Sequence, residues 1–217
     1  MPSETDMYFH IDALKNEAKL IPNVKLKVIP SFWGHIAGAG FAKEDADFID
    51  NEISNLIVKA YKHQKNGDLS LAIQGWNALI NHSSTDKELI SNAFLNLGNL
   101  HLQQGNGDLA YESMAKAISA NPNSSEAFFC MAYMEQEKEN FNEAINFFEA
   151  ALKLKPKDVG AINNLGNCYD RLNAADKAIN TYSKAILIDS KYIAAYYNRG
   201  NAYSKIAKDE LALKDFN

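Results

Sequence analysis

The sequence predicts an all-α fold, a solenoid of paired helices preceded by a short α/β segment. Two observations predict it. From about Ile53 onward, small and large apolar residues recur at a fixed spacing of 34, and such a period marks stacked supersecondary units. Proline and glycine, the residues that break helices, are scarce there. Of the 5 prolines, Pro2, Pro22 and Pro30 fall in the first thirty residues, while Pro122 and Pro156 stand one period apart. The chain therefore divides into two unlike parts, residues 1–52 and 53–217.

In the first part, residues 12–20 read as a short helix. Residues 24–29 alternate Val24, Leu26 and Val28 with Lys25 and Lys27, the period-2 pattern of a half-buried strand. Residues 42–58 carry Phe48, Ile49, Ile53 and Leu56 at helical spacing. Between strand and helix lies Ser31-Phe32-Trp33-Gly34-His35-Ile36-Ala37-Gly38, and upstream lies Ser3-Glu4-Thr5-Asp6-Met7-Tyr8-Phe9. These stretches resemble the C-terminal end of an α/β-hydrolase of the homoserine O-acetyltransferase-like group. The resemblance implies Asp6 as triad acid and His35 as triad base, in the chain order of that fold. No Gly-x-Ser-x-Gly occurs, so the nucleophile elbow is missing and the pair is expected to be inactive. Residues 1–52 are thus expected to be a hydrolase remnant, and this chain not an enzyme. The alternative is the C-terminal fragment of a hydrolase-fold acyltransferase or hydrolase fused to repeats. Met1 is expected to match an internal position of a longer parent, and Asn217 to cut the last repeat in mid-helix. A fragment of such a fusion, or a reading frame started late, is the expectation.

In the second part the rows are Ala110, Ala144, Ala178 and Ala212; Ala117, Ala151 and Ala185; Gly98, Ala132, Gly166 and Gly200. Large residues keep register as Met114, Phe148, Tyr182 and Phe216, and as Phe94, Phe128, Ile162 and Tyr196. The units are 91–124, 125–158, 159–192 and a truncated 193–217. A degenerate unit, about 53–90, precedes them with Gly67-Asp68, Ala72 and Trp76. It is four residues longer, since Ala60 to Gly98 spans 38, and the excess is placed near residues 82–85. Thr85-x-x-Glu88 has the form of a capping box. Small residues let paired helices approach, large ones fill the space between neighbours, and Pro122 and Pro156 end the second helix of their units.

The period and these positions resemble the tetratricopeptide repeat, a 34-residue helix–turn–helix. The resemblance implies a right-handed superhelix with a concave groove that binds an extended peptide or partner segment. Asn96, Asn164 and Asn198 repeat at one place on the first helix, and Asn99, Asn167 and Asn201 three residues on, a nearby face. The first row resembles the asparagine ladder of O-linked N-acetylglucosamine transferase repeats, broken here by Cys130. With Tyr133, Arg171 and Lys205 these asparagines make up the expected peptide-binding groove. A chaperone-type carboxylate clamp needs Lys and Arg where this chain has Leu95, Phe129, Asn163 and Tyr197, so no clamp is expected.

The remaining composition bounds the partners. Lys+Arg number 22 against 27 Asp+Glu, a net charge of −5, which speaks against nucleic acid or a polybasic membrane surface. The longest apolar run, 127–134, is far short of a membrane span. The N-terminus has no apolar core of a signal peptide. Cys130 and Cys168 make neither a disulfide framework nor a metal cluster, so no metal or other cofactor is expected and the cytoplasm is the default. Both cysteines are expected to serve packing, as is His101. Gly38-Ala39-Gly40 lacks the spacing of a phosphate loop. Partners are expected to be protein or peptide, with self-association through the truncated last repeat, where Leu211, Leu213 and Tyr196 lose cover.

Overall fold

The computed structural model describes residues 43–82 and 86–217. The chain divides into two compact units, Met1–Val58 and Lys59–Asn217. Ten helices follow among the described residues: α1 Lys43–Asn66, α2 Leu69–His82, α3 Lys87–Gln103, α4 Gly107–Ala120, α5 Ser125–Glu137, α6 Phe141–Leu154, α7 Val159–Arg171, α8 Ala175–Ile188, α9 Ile193–Lys205 and α10 Asp209–Phe216.

The α/β part of the expectation is corrected. Every regular element among the described residues is an α-helix and no strand occurs there. The described part of the segment assigned to a hydrolase remnant is the start of α1, which runs unbroken from Lys43 to Asn66. The physical reason is visible in the spacing. Ile49, Ile53, Leu56 and Ala60 form one helical stripe that crosses residue 52 without a break. The expected strand at 24–29, the helix at 12–20, and Asp6 and His35 all lie outside the described residues.

The second unit is a solenoid of helix pairs. Each first helix (α3, α5, α7, α9) packs on the second helix of its own pair and on that of the pair before. The small-residue row explains the tightness within pairs. A methyl group added at Gly98 would sit 2.5 Å from Met114 Cε, and one at Gly166 would sit 2.5 Å from Tyr182 Cε1. Met114, Phe148 and Tyr182 are buried to within 1% because the glycine or alanine opposite makes room for them. The turn inside each pair is equally periodic. Gly67, Gly105, Glu139, Asn173 and Ala207 hold φ between 55° and 80°, the left-handed region that most side chains avoid. Glycine fills it twice. At Glu139 the turn is braced instead by Glu135, whose buried carboxylate accepts hydrogen bonds from Lys138 Nζ (3.1 Å) and Asn140 Nδ2 (2.8 Å).

The starts of the first helices show where the four extra residues go. Ser124 and Asp158 cap α5 and α7, accepting from the N–H groups of Ala127 (3.3 Å) and Ala161 (3.0 Å). The corresponding place in α3 is Ile90, which has no acceptor to offer. The helix therefore begins one turn earlier, at Lys87, with Asp86 accepting from Leu89 N–H at 3.0 Å, as an N-cap aspartate does. α3 has 17 residues where α5, α7 and α9 have 13. The excess, placed near 82–85 from the sequence, is an added helical turn from Lys87, and the cap is Asp86. Thr85 lies outside the described residues.

Cys168 is fully buried against Ala132, Phe148 and Leu165, and its thiol donates to Gln136 Oε1 at 3.4 Å. Cys130 is half-buried beside Met131. Burial pushes both thiols up to about 11, with the Glu126 carboxylate adding to the rise at Cys130. The thiolate is the reactive form, so at pH 8 both cysteines should react with a disulfide reagent at least about tenfold more slowly in the folded chain than in urea. Equal rates would show that burial does not protect them.

At the C-terminal end the rows lose cover. Leu213 is 61% exposed and Phe216 46%, whereas Met114, Phe148 and Tyr182, in register with Phe216, are buried. Tyr197 is 60% exposed where Leu95 and Asn163 are 5%. Leu211 belongs to a different class, because its row-mate Leu109 is already 47% exposed inside the solenoid.

Candidate functional site

Successive first helices place one residue per turn on a shared face. The structure gathers part of the sequence-predicted set there into one open depression of about 480 Å³. Asn167 and Arg171 reach it from α7, and Asn198 and Asn201 from α9. Gln136 and Glu137 at the end of α5, Glu139 and Phe141 around the next turn, Asp170, and Tyr182 from α8 complete the lining. Lys205 joins through an ion pair, its Nζ 2.6 Å from Asp170 Oδ2. Asn164 is tied in by Asn167 Nδ2, which donates to Asn164 Oδ1 at 3.4 Å. Asn96, Asn99 and Tyr133 stand on the earlier units, outside this depression. Asn96 Nδ2 donates to its own helix at Asn92 O, 2.8 Å, Asn99 is half-buried, and Tyr133 is 46% exposed.

The amides are not equivalent. Asn167 Oδ1 accepts two hydrogen bonds, from Tyr182 Oη at 2.8 Å and from Asn198 Nδ2 at 3.1 Å. Asn198 Nδ2 also donates to Asn163 Oδ1 at 3.1 Å. Asn163 is 5% exposed, so a buried amide under the face orients the half-buried one above it. Burial also pushes the Tyr182 hydroxyl well above its ordinary range, with Asp170 and Cys168 adding to the effect, so it stays a donor. The asparagines one period apart are thus a coupled network rather than independent side chains.

Two ion pairs frame the depression. Arg171 NH2 is 2.7 Å from Glu139 Oε1, and its guanidinium lies over the Phe141 ring at 4.9 Å. Lys205 holds Asp170, whose Oδ1 is buried and accepts nothing. Sequence reasoning passed over Asn163, Asp170, Glu139 and Tyr182. A signal was present: Asn163–Asn198 and Asp170–Lys205 are 35 residues apart and Glu139–Arg171 32, each close to the repeat period. Partners on neighbouring units are found by stepping one period, not along one helix.

Among the described residues no group of three or more His, Cys, Asp or Glu could hold a metal ion. No helix among them is long and apolar enough to cross a membrane.

Tetratricopeptide repeat family models match residues 91–124 and 135–200. Over 107 residues the chain is 30% identical to Superkiller complex protein 3 of Mus musculus; the match takes in 49% of this chain and 7% of that protein. Two crystal structures of MamA superpose with TM-scores of 0.66 and 0.65. They share 26% and 27% identity, over 76% and 72% of this chain and 87% and 90% of theirs. MamA of Desulfovibrio magneticus RS-1, residues 41 to the end, has a TM-score of 0.64 at 20% identity, over 76% of this chain and 90% of that one, and speaks for the fold alone. The family matches are to tetratricopeptide repeats and the described residues hold helix pairs with no strand among them, which corrects the hydrolase-like part of the sequence reading.

Proposed function

We propose that this chain is a non-catalytic scaffold that holds an extended segment of a partner protein along the face made by its first helices. The observation that carries this reading is the amide-lined depression spanning α5, α7 and α9. An extended peptide backbone presents N–H and C=O groups at regular intervals, and side-chain amides offer both complements. Three neighbouring units contribute to the same face, so a segment laid along it would meet similar groups at each step. The tetratricopeptide-like repeats support the same reading, since stacking them builds an extended binding surface.

The test is a selection of displayed random dodecamers on the intact chain, followed by affinity measurement of the enriched peptides. Asn164→Ala combined with Asn201→Ala should weaken binding by about tenfold or more, each amide contributing roughly 1 kcal/mol, while the melting curve stays in place. Unchanged affinity in the double variant would move the binding surface elsewhere, and no enrichment at all would end the proposal.

A further inference from the structure

At Asp170 and Asn198 the hydrogen-bond balance of the depression leaves acceptors over. Both N–H groups of Asn198 are already given away, to Asn163 and Asn167, so its carbonyl oxygen is the group it has left. The Tyr182 hydroxyl is spent on Asn167. Asp170 has one oxygen held by Lys205 and one buried with no donor, and Glu137 adds a further carboxylate to the lining. The oxygens left over at Asp170, Asn198 and Glu137 are acceptors, beside the donors that Gln136, Asn201 and Arg171 bring to the same lining. The chain's own cations show what fits. A guanidinium already lies flat on Phe141 against Glu139, and a half-exposed ammonium reaches over from the next unit to Asp170.

We propose that this depression takes an arginine side chain of the bound segment, which displaces Lys205 from Asp170. The inference rests on the peptide-binding reading above and gives it a partner chemistry. Lys205 is half-exposed, so moving it back into water costs little. An ammonium satisfies one carboxylate oxygen at a time. A planar guanidinium engages both in parallel, and so reaches the Asp170 oxygen that Lys205 leaves without a partner. The acceptors of Asn198 and Glu137 take its remaining N–H groups.

The experiment is an NMR titration of the intact, isotope-labelled chain with the capped tripeptides Ala-Arg-Ala, Ala-citrulline-Ala and Ala-Glu-Ala, following the side-chain amide signals of Asn167 and Asn198. Citrulline keeps the shape of arginine and removes its charge. The arginine peptide should shift these signals at concentrations about tenfold lower than the citrulline peptide, a difference of about 1.4 kcal/mol, and the glutamate peptide should not compete. Asp170→Asn should abolish the preference for arginine, and Lys205→Met, which removes the internal competitor, should strengthen arginine binding. Should Asp170→Asn melt early, Lys205→Met decides alone. Equal shifts from all three peptides would overturn the arginine site and leave peptide binding standing. Shifts from none would overturn both, and tighter binding of the glutamate peptide would reverse the proposed charge.

Discussion

Phe148→Ala should lower the unfolding free energy by about 3–5 kcal/mol, the usual cost of emptying a phenylalanine site in a core. Phe148 is wholly buried. It stands edge-on to Phe129 with centroids 5.7 Å apart, and it packs among Ala132, Ala144, Ala161, Leu165 and Cys168. These neighbours come from α5, α6 and α7, so the one side chain joins a helix pair internally and also glues it to the next. In a solenoid, stability is a sum of unit terms and nearest-neighbour interfaces, and this variant strikes both at once. The alanines around the ring have no side chain long enough to close the void. Phe148→Met should cost less than about 1.5 kcal/mol, because Met114 fills the same place one unit earlier with equally complete burial. Urea unfolding followed by circular dichroism separates the two variants. A loss below 1 kcal/mol for Phe148→Ala would mean that the neighbouring pairs do not depend on this contact.

Asp215→Ala should release α10 while sparing the interior pairs. Asp215 and Arg199 form a two-pronged pair, Arg199 Nε to Oδ2 at 2.7 Å and NH2 to Oδ1 at 2.6 Å, and Arg199 NH1 donates to Ser183 Oγ at 2.9 Å. The side chains are only 18% and 5% exposed. Removing the carboxylate leaves a guanidinium largely out of water with no counter-charge, a change that costs about 3–5 kcal/mol when fully buried and somewhat less here. α10 has eight residues, too few to hold without its tertiary contacts. The loss should therefore appear as amide exchange in α10 rising to nearly the free rate, with protection in α3 to α8 unchanged. Arg199 stands in register with Leu97, Met131 and Leu165. Arg199→Leu combined with Asp215→Leu should accordingly restore protection, since a packed apolar pair of similar volume replaces a buried ion pair without penalty. Equal exchange in native and Asp215→Ala chains would show that Phe216 and Ala212 alone hold the helix.

Arg199 illustrates a wider point about what a repeating sequence conveys. Its row predicted an apolar residue, and its charge is intelligible only once Asp215 and Ser183 are seen around it. The asparagines behave in the same way. Their recurrence marked a face, but Asn163 shares its row with Leu95, Phe129 and Tyr197, and nothing in that row shows that Asn198, one unit on, places its amide against it. Asp170 and Glu139 lie on no conspicuous row and enter the site only because successive units stack at a spacing that brings residues 31 to 35 positions apart into contact.

The sequence by itself determined the helix pairs, their register and the small-against-large packing within each, because these depend on contacts that recur every 34 residues and leave a mark in every unit. It also pointed to a strand and a hydrolase-like segment, on a few alternating residues and a short motif that lie outside the described residues, while the described end of that segment is helix, as the spacing of Ile49, Ile53, Leu56 and Ala60 indicates. Only the tertiary structure decided that the four extra residues become a turn of α3, since whether Asp86 or Ile90 starts a helix depends on which can accept a backbone hydrogen bond at that point. Only the tertiary structure, too, decided which asparagines still have a free donor or acceptor. That balance depends on side-chain orientation between neighbouring units, and a repeat reports where a residue recurs but not which of its atoms are already engaged.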